Sequence, residues 1–232
     1  MFDAIIFDCD GVLVDSEVLS RRGELRVLEK FGLPYTEEEF SRRFLGLHDI
    51  PFFDALRSDY EARLRRSAPE DFEQRLLEGR RAEMEQLTAI AGADRALAAA
   101  RQRFEKLAVA SSSRAHFLDK KLKRTGLFDA CAPHIYSADL VENAKPAPDI
   151  FLYAAEKLQA APERCLVLED SENGVLAAKA AGMTALGFLG GGHVLPGHDE
   201  ALVARGAKAV VDDFDHFIRH LRDDIPALLT SS

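Results

Sequence analysis

Apolar positions along this chain fall into three regimes. From Ala4 to Phe7 they run without a break and end on Asp8-Cys9-Asp10-Gly11. A short continuous run of this kind predicts a strand covered on both faces, as in the middle of a parallel sheet. Over residues 16–87 apolar side chains recur at helical spacing among many charges, and no run reads as a strand. Helices are predicted over 17–31, stopped by Gly32 and Pro34, then over a short segment opened by a Thr36/Glu39 capping box. Two more are predicted over 49–66 and from Pro69 to about residue 85. Beyond Gly92 the pattern changes again, and short apolar runs alternate with amphipathic segments. Strands are predicted at 107–110 and 165–168, with shorter or less apolar ones at 134–136, 184–188 and 209–211. Helices are predicted at 116–125, 149–158 and 172–181, the last ended by Gly182. Such alternation predicts an α/β core with a parallel sheet and helices on both faces. The core is then residues 1–15 and 88–232, interrupted at 16–87 by a small all-helical bundle.

Composition narrows the function classes. With 47% hydrophobic and 30% charged residues, the chain has the make-up of an ordinary soluble globular protein. A net charge of -9 argues against a general nucleic-acid-binding face and against an anionic membrane surface. Attraction for an anionic substrate must therefore be local. Cys9, Cys131 and Cys165 are scattered and odd in number, which fits reduced thiols and neither a zinc site nor a disulfide framework. No apolar run is long enough to span a membrane, and the N-terminus lacks the pattern of a signal peptide. The expected compartment is the cytoplasm.

In open parallel sheets ligands bind beyond the carboxyl ends of the strands. Asp8 and Asp10 follow the first strand, and a period of two starts both carboxylates toward one side. Ser111-Ser112-Ser113-Arg114 follows the strand ending at Ala110, and Glu169-Asp170 follows the strand ending at Leu168. Lys145 lies between them in Asn143-Ala144-Lys145-Pro146-Ala147-Pro148, flanked by residues that hold rather than display it. Each stretch alone has a plainer reading as a turn, a helix cap or a solvated lysine. Together they are far more specific. Two acidic pairs at strand ends make an oxygen-rich site for a hard cation, for which Mg²⁺ is the natural choice. An anionic nucleophile, a metal, a lysine, hydroxyl donors and an acid/base group are what phosphoryl transfer requires.

The order Asp-x-Asp-Gly-Val, strand-end Ser, Lys-Pro-x-Pro-Asp and Glu-Asp-Ser resembles the haloacid dehalogenase superfamily, over essentially the whole chain. Within it the chain is similar to the β-phosphoglucomutase-like subfamily of sugar-phosphate phosphatases and mutases. The resemblance implies a Rossmann-like sheet of order 5-4-1-2-3 with an inserted helical cap. It implies Asp8 as nucleophile, Asp10 as acid and base, and Ser111 and Lys145 on the transferring phosphoryl group, with Ser112 as a helper. Mg²⁺ would be held by the Asp8 carboxylate, the Asp10 carbonyl and Asp170, with Glu169 assisting directly or through water. The second aspartate argues for phosphoryl transfer over dehalogenation. The subfamily's mutases carry a cap histidine where this chain has Ser20, a cap arginine where it reads Gly46-Leu47-His48-Asp49, and Lys-Asn where it has Arg114-Ala115. Those departures favour a phosphatase over a phosphomutase. A non-catalytic phosphate-binding module is the alternative of another class, and the intact Asp8, Asp10, Lys145 and Asp170 argue against it. Arg114, with Arg43 and His48 in the helical insert, are candidate substrate contacts, and the Gly190-Gly191-Gly192-His193 loop either borders the entrance to the site or, on the simpler reading, is a flexible connector. The expected partner is a small phosphorylated metabolite such as a sugar or sugar-acid phosphate, and the expected assembly a monomer or small homo-oligomer.

Overall fold

The computed structural model describes residues 2–44, 47 and 49–223. Its sheet is built from β1 (Ala4–Phe7), β2 (Lys106–Ser111), β3 (Ile135–Ser137), β4 (Cys165–Glu169), β5 (Thr184–Phe188) and β6 (Ala209–Val211). All pairings are parallel, in the order β3-β2-β1-β4-β5-β6. The expected order 5-4-1-2-3 is present, and β6 extends it beyond β5. Ala4, Ile5, Ile6 and Phe7 are all fully buried, as the unbroken apolar run requires.

Alternate residues of β1 serve opposite faces. Ala4 and Ile6 join a cluster with Ile150, Phe151 and Ala154 of α8 (Asp149–Leu158) and Val175 of α9 (Glu172–Ala180). Phe7 points the other way, its ring 5.9 Å from that of Phe217 on α11 (Phe214–Asp223), which packs against α5 (Ala93–Arg103). Burying a side chain of this size contributes roughly 1.5–3 kcal/mol.

Register then decides what meets at the strand ends. Phe7 pairs with Val109 on one side and Leu168 on the other, so Asp8, Ala110 and Glu169 leave the sheet at one level. The Asp8 N–H continues the ladder for one more bond, donating to the Leu168 carbonyl at 3.0 Å.

The chain divides into two compact units, Met1–Ser16 with Leu87–Ser232, and Glu17–Gln86. The second holds α1 (Ser16–Lys30, beginning at the last residue of the first unit), α2 (Glu37–Phe44), α3 (Asp49–Leu64) and α4 (Phe72–Glu83). Its core is strongly aromatic, with Phe31, Phe40, Phe44, Phe52, Tyr60 and Phe72 all buried. Thr36 accepts the Glu39 N–H at 3.1 Å, one half of the expected capping box. Pro69 lies in the turn before α4 rather than in its first turn, its carbonyl accepting from the Phe72 N–H at 3.1 Å. Among the described residues no helix is long and apolar enough to cross a membrane.

Candidate active site

The ammonium of Lys145 binds three strand ends together. It lies 2.6 Å from Asp8 Oδ1, 2.7 Å from Glu169 Oε1 and 3.2 Å from the Ala110 carbonyl oxygen. An ammonium has three hydrogens, and here each has an acceptor. Burial would lower the Lys145 pKa, but Asp8 and Glu169 outweigh it and move it upward, so the group stays charged. The second oxygen of Glu169 accepts from the Ser171 N–H at 2.9 Å and the Ser171 hydroxyl at 3.1 Å. That serine also caps α9, accepting from the Gly174 N–H at 3.0 Å.

Asp8, Glu169 and Asp170 are all buried and offer oxygens within 4.8 Å of one another, a set able to hold a metal ion. Burial pushes the Asp8 carboxyl well above its usual range; Lys145 opposes this, and Glu169, Asp170 and Asp10 reinforce it. Counted as ionised, three carboxylates against one ammonium leave an excess of two negative charges, which a divalent cation would cancel. All three donors are hard oxygens, which suits Mg²⁺.

Asp10 belongs to a different network. Its carboxylate accepts from Ser16 Oγ and Lys121 Nζ, from Ser113 Oγ at 2.7 Å and from Ser111 Oγ at 3.3 Å. Lys121 also donates to Ser113 Oγ at 2.9 Å. Burial alone would raise the Asp10 carboxyl, but Lys121, Ser16 and Ser113 prevail and hold it down at about 2. The chain leaves the strand after Asp8 and turns at Gly11 (φ +81°), and the two carboxylates have different partners and opposite pKa shifts.

The remaining candidates are more dispersed. Ser111 is fully buried and accepts the Ser113 N–H at 3.0 Å, whereas Ser112 and Arg114 are exposed where β2 gives way to α6 (Ala115–Arg124). Arg43 is engaged inside the helical unit, paired with Asp59 and 3.6 Å from Glu39, with its guanidinium over the Phe44 ring. His48 lies outside the described residues. Lys121 and Ser16 join the site from outside the strand-end motifs, Ser113 belongs to the serine stretch after β2, and His193 to the glycine-rich loop after β5. Lys121 had a signal, since it shares the inward stripe of α6 with buried Leu118 and Leu122, where a solvated lysine has no place. Replacing Lys121 with methionine is expected to raise the Asp10 carboxyl from about 2 toward the ordinary ~3.9. Carboxyl ¹³C shifts followed through a pH titration measure this, and a value still near 2 would assign the whole effect to the serines.

A model of the haloacid dehalogenase-like hydrolases matches residues 2–182. The phosphorylated carbohydrates phosphatase of Thermotoga maritima is 37% identical over 213 residues, covering 90% of this chain and 94% of that protein. Hexitol phosphatase B of Escherichia coli K12 is 33% identical over 189 residues, 79% of this chain and 82% of its own. A HAD family hydrolase from Deinococcus radiodurans R1, solved with bound phosphate and sodium, superposes with a TM-score of 0.86 at 35% identity, covering 100% of this chain and 99% of that one. With the family match running from before Asp8 to beyond Asp170, the chain belongs to the haloacid dehalogenase-like hydrolases.

Proposed function

We propose that this enzyme is a Mg²⁺-dependent phosphatase that hydrolyses a small sugar or sugar-acid phosphate through an aspartyl-phosphate. One observation carries the reading: a buried trio of carboxylates whose excess charge over Lys145 matches a divalent cation, beside a second aspartate held apart as an anion. The names of the relatives, a phosphorylated carbohydrates phosphatase and a hexitol phosphatase, support the substrate class.

In this mechanism Asp8 attacks phosphorus in line while the bond to the leaving oxygen breaks. A bound Mg²⁺ supplies charge neutralisation for the phosphoryl oxygens and for the acidic trio. Lys145 orients Asp8 and faces the transferring group, and Ser111 donates to that group. Asp10, an anion in the free site, takes up a proton before the chemical step, gives it to the leaving oxygen and accepts one from the water that cleaves the acyl phosphate; releasing that proton returns it to its starting state. Asp170 and Glu169, with Asp8 and the Asp10 carbonyl, would hold the metal. Ser112 and Arg114 on the core, and Arg43 and His48 on the helical unit, are proposed to touch the non-phosphate part of the substrate. Arg43 would first have to release Asp59.

Phosphate release from hexitol phosphates, hexose phosphates and phosphogluconates, with Mg²⁺ and with EDTA, tests the reading. Metal-dependent release supports it. Isomerisation of a primed hexose phosphate without release would replace it with a mutase, and silence across the panel would leave a phosphate-binding module. The metal also has a prediction of its own. At about a hundredfold excess over its Kd, Mg²⁺ should stabilise the protein by ~2.7 kcal/mol, raising Tm by about 5–11 °C over the EDTA form. A melt insensitive to Mg²⁺ would refute the metal site.

A further inference from the structure

We infer that His193 is a positioning residue for Asp170, fixing its carboxylate for the metal. The inference rests on the metal reading above. The loop after β5 is not a loose connector, because it packs into the site. His193 is only 6% exposed, and its Nε2 lies 2.9 Å from Asp170 Oδ2. A carboxylate only accepts, so Nε2 carries the hydrogen. His198, at the start of α10 (His198–Arg205), donates from its own Nε2 to the Asp170 carbonyl oxygen at 2.6 Å. Asp170 is thus held at both its side chain and its backbone by two histidines of one connection.

Two glycines make room for this contact. A Cβ on Gly11 would fall 2.0 Å from Asp170 Oδ2 and 2.8 Å from the His193 ring. A Cβ on Gly191 would fall 2.7 Å from the same ring and 2.8 Å from the Gly11 carbonyl oxygen. The Gly192 N–H, donating to Asp15 Oδ1 at 3.2 Å, ties the loop to the segment that follows β1. With one oxygen engaged by the imidazole, the plane of the Asp170 carboxylate is set before any ion arrives. Carboxylates held in this way bind metal without first losing rotational freedom, and removing such a partner typically weakens binding about 10–100-fold.

The test is calorimetric titration of Mg²⁺ into substrate-free wild type, His193→Leu, His193→Gln and Gly191→Ala. His193→Leu removes the donor and should bind Mg²⁺ about 10–100-fold more weakly. His193→Gln keeps an N–H at the reach of Nε2 and should recover most of the loss. Gly191→Ala keeps the imidazole but displaces it, and should also weaken binding, so the inference stays testable if His193→Leu does not fold. In turnover the half-saturating Mg²⁺ concentration should rise in His193→Leu, while kcat at saturating metal stays near wild type. Wild-type affinity in both His193→Leu and Gly191→Ala would overturn this role alone. A glutamine variant as weak as the leucine one would also overturn it, as would a kcat that falls without a change in metal dependence. A wild type that takes up no Mg²⁺ would overturn the metal reading, and the inference with it.

Discussion

Replacing Asp8 with asparagine is expected to abolish phosphate release, by about 10⁴-fold or more, without weakening the fold. The first half follows from its proposed role, since an amide cannot form the acyl phosphate. The second follows from where the residue sits. Burial, and then Glu169, Asp170 and Asp10, push the Asp8 carboxyl upward by more than Lys145 pulls it down. A group whose folded pKa is raised contributes stability that is fully present below the unfolded value near 3.9 and is lost as pH rises through the folded one. At neutral pH without metal, ionised Asp8 therefore costs stability, and asparagine removes that cost. Lys145 keeps Glu169 and the Ala110 carbonyl as acceptors. Melts in EDTA should show Asp8→Asn at least as stable as wild type at pH 7, with the gap closing toward acid. Mg²⁺ should stabilise the variant less than it stabilises wild type, because one ligand charge is gone. Residual turnover near wild type would remove Asp8 as nucleophile. A variant that melts well below wild type in EDTA would show that the pair with Lys145 outweighs the crowding of carboxylates.

The parts of this site written close to strand ends were legible in the sequence. Asp8, Ser111, Glu169 and Asp170 each end or directly follow an apolar run, and a parallel sheet brings the carboxyl ends of its strands to one edge whatever the loops do. Lys145 was legible because its prolines and alanines left it little to do as a solvated side chain. What could not be read was pairing across long sequence distance. Helical periodicity places Lys121 on the inward face of α6, but only the tertiary fold shows that Asp10, 111 positions away, is its partner. His193 was harder still, since three glycines in a row look like slack. Gly191 is small because its backbone must approach the Gly11 carbonyl of another loop and the His193 ring, which period and composition do not encode. The sixth strand, only three residues long, had a pattern but no length to place it in the sheet.

Lys145→Met should be costly to both stability and activity, and its pH dependence distinguishes electrostatics from packing. Methionine nearly fills the space of the lysine stem, so little cavity is created. What is lost is the one ammonium between two buried carboxylates, together with the hydrogen bond to the Ala110 carbonyl oxygen. Removing one partner of a buried ion pair costs about 3–5 kcal/mol, because the charge left behind is uncompensated. For a chain of this size that is a Tm lower by roughly 6–20 °C. In wild type the raised Lys145 pKa means that its contribution is complete below the unfolded lysine value near 10.4 and fades only as pH rises through the still higher folded value. Lysine titration therefore leaves the deficit of the variant unchanged between pH 7 and 9. On the acid side Asp8, already raised and now without its cation, takes up a proton earlier, so the deficit should shrink as pH falls from 7 toward 5. Mg²⁺ should also recover part of it, by returning positive charge to the same oxygens. A deficit of equal size at every pH, untouched by Mg²⁺, would mean that Lys145 acts through packing alone. A deficit that is repaired by acid or by metal, with turnover still absent, would separate the two things this ammonium does: it permits carboxylates to be buried at the end of β1, and it aims one of them at phosphorus.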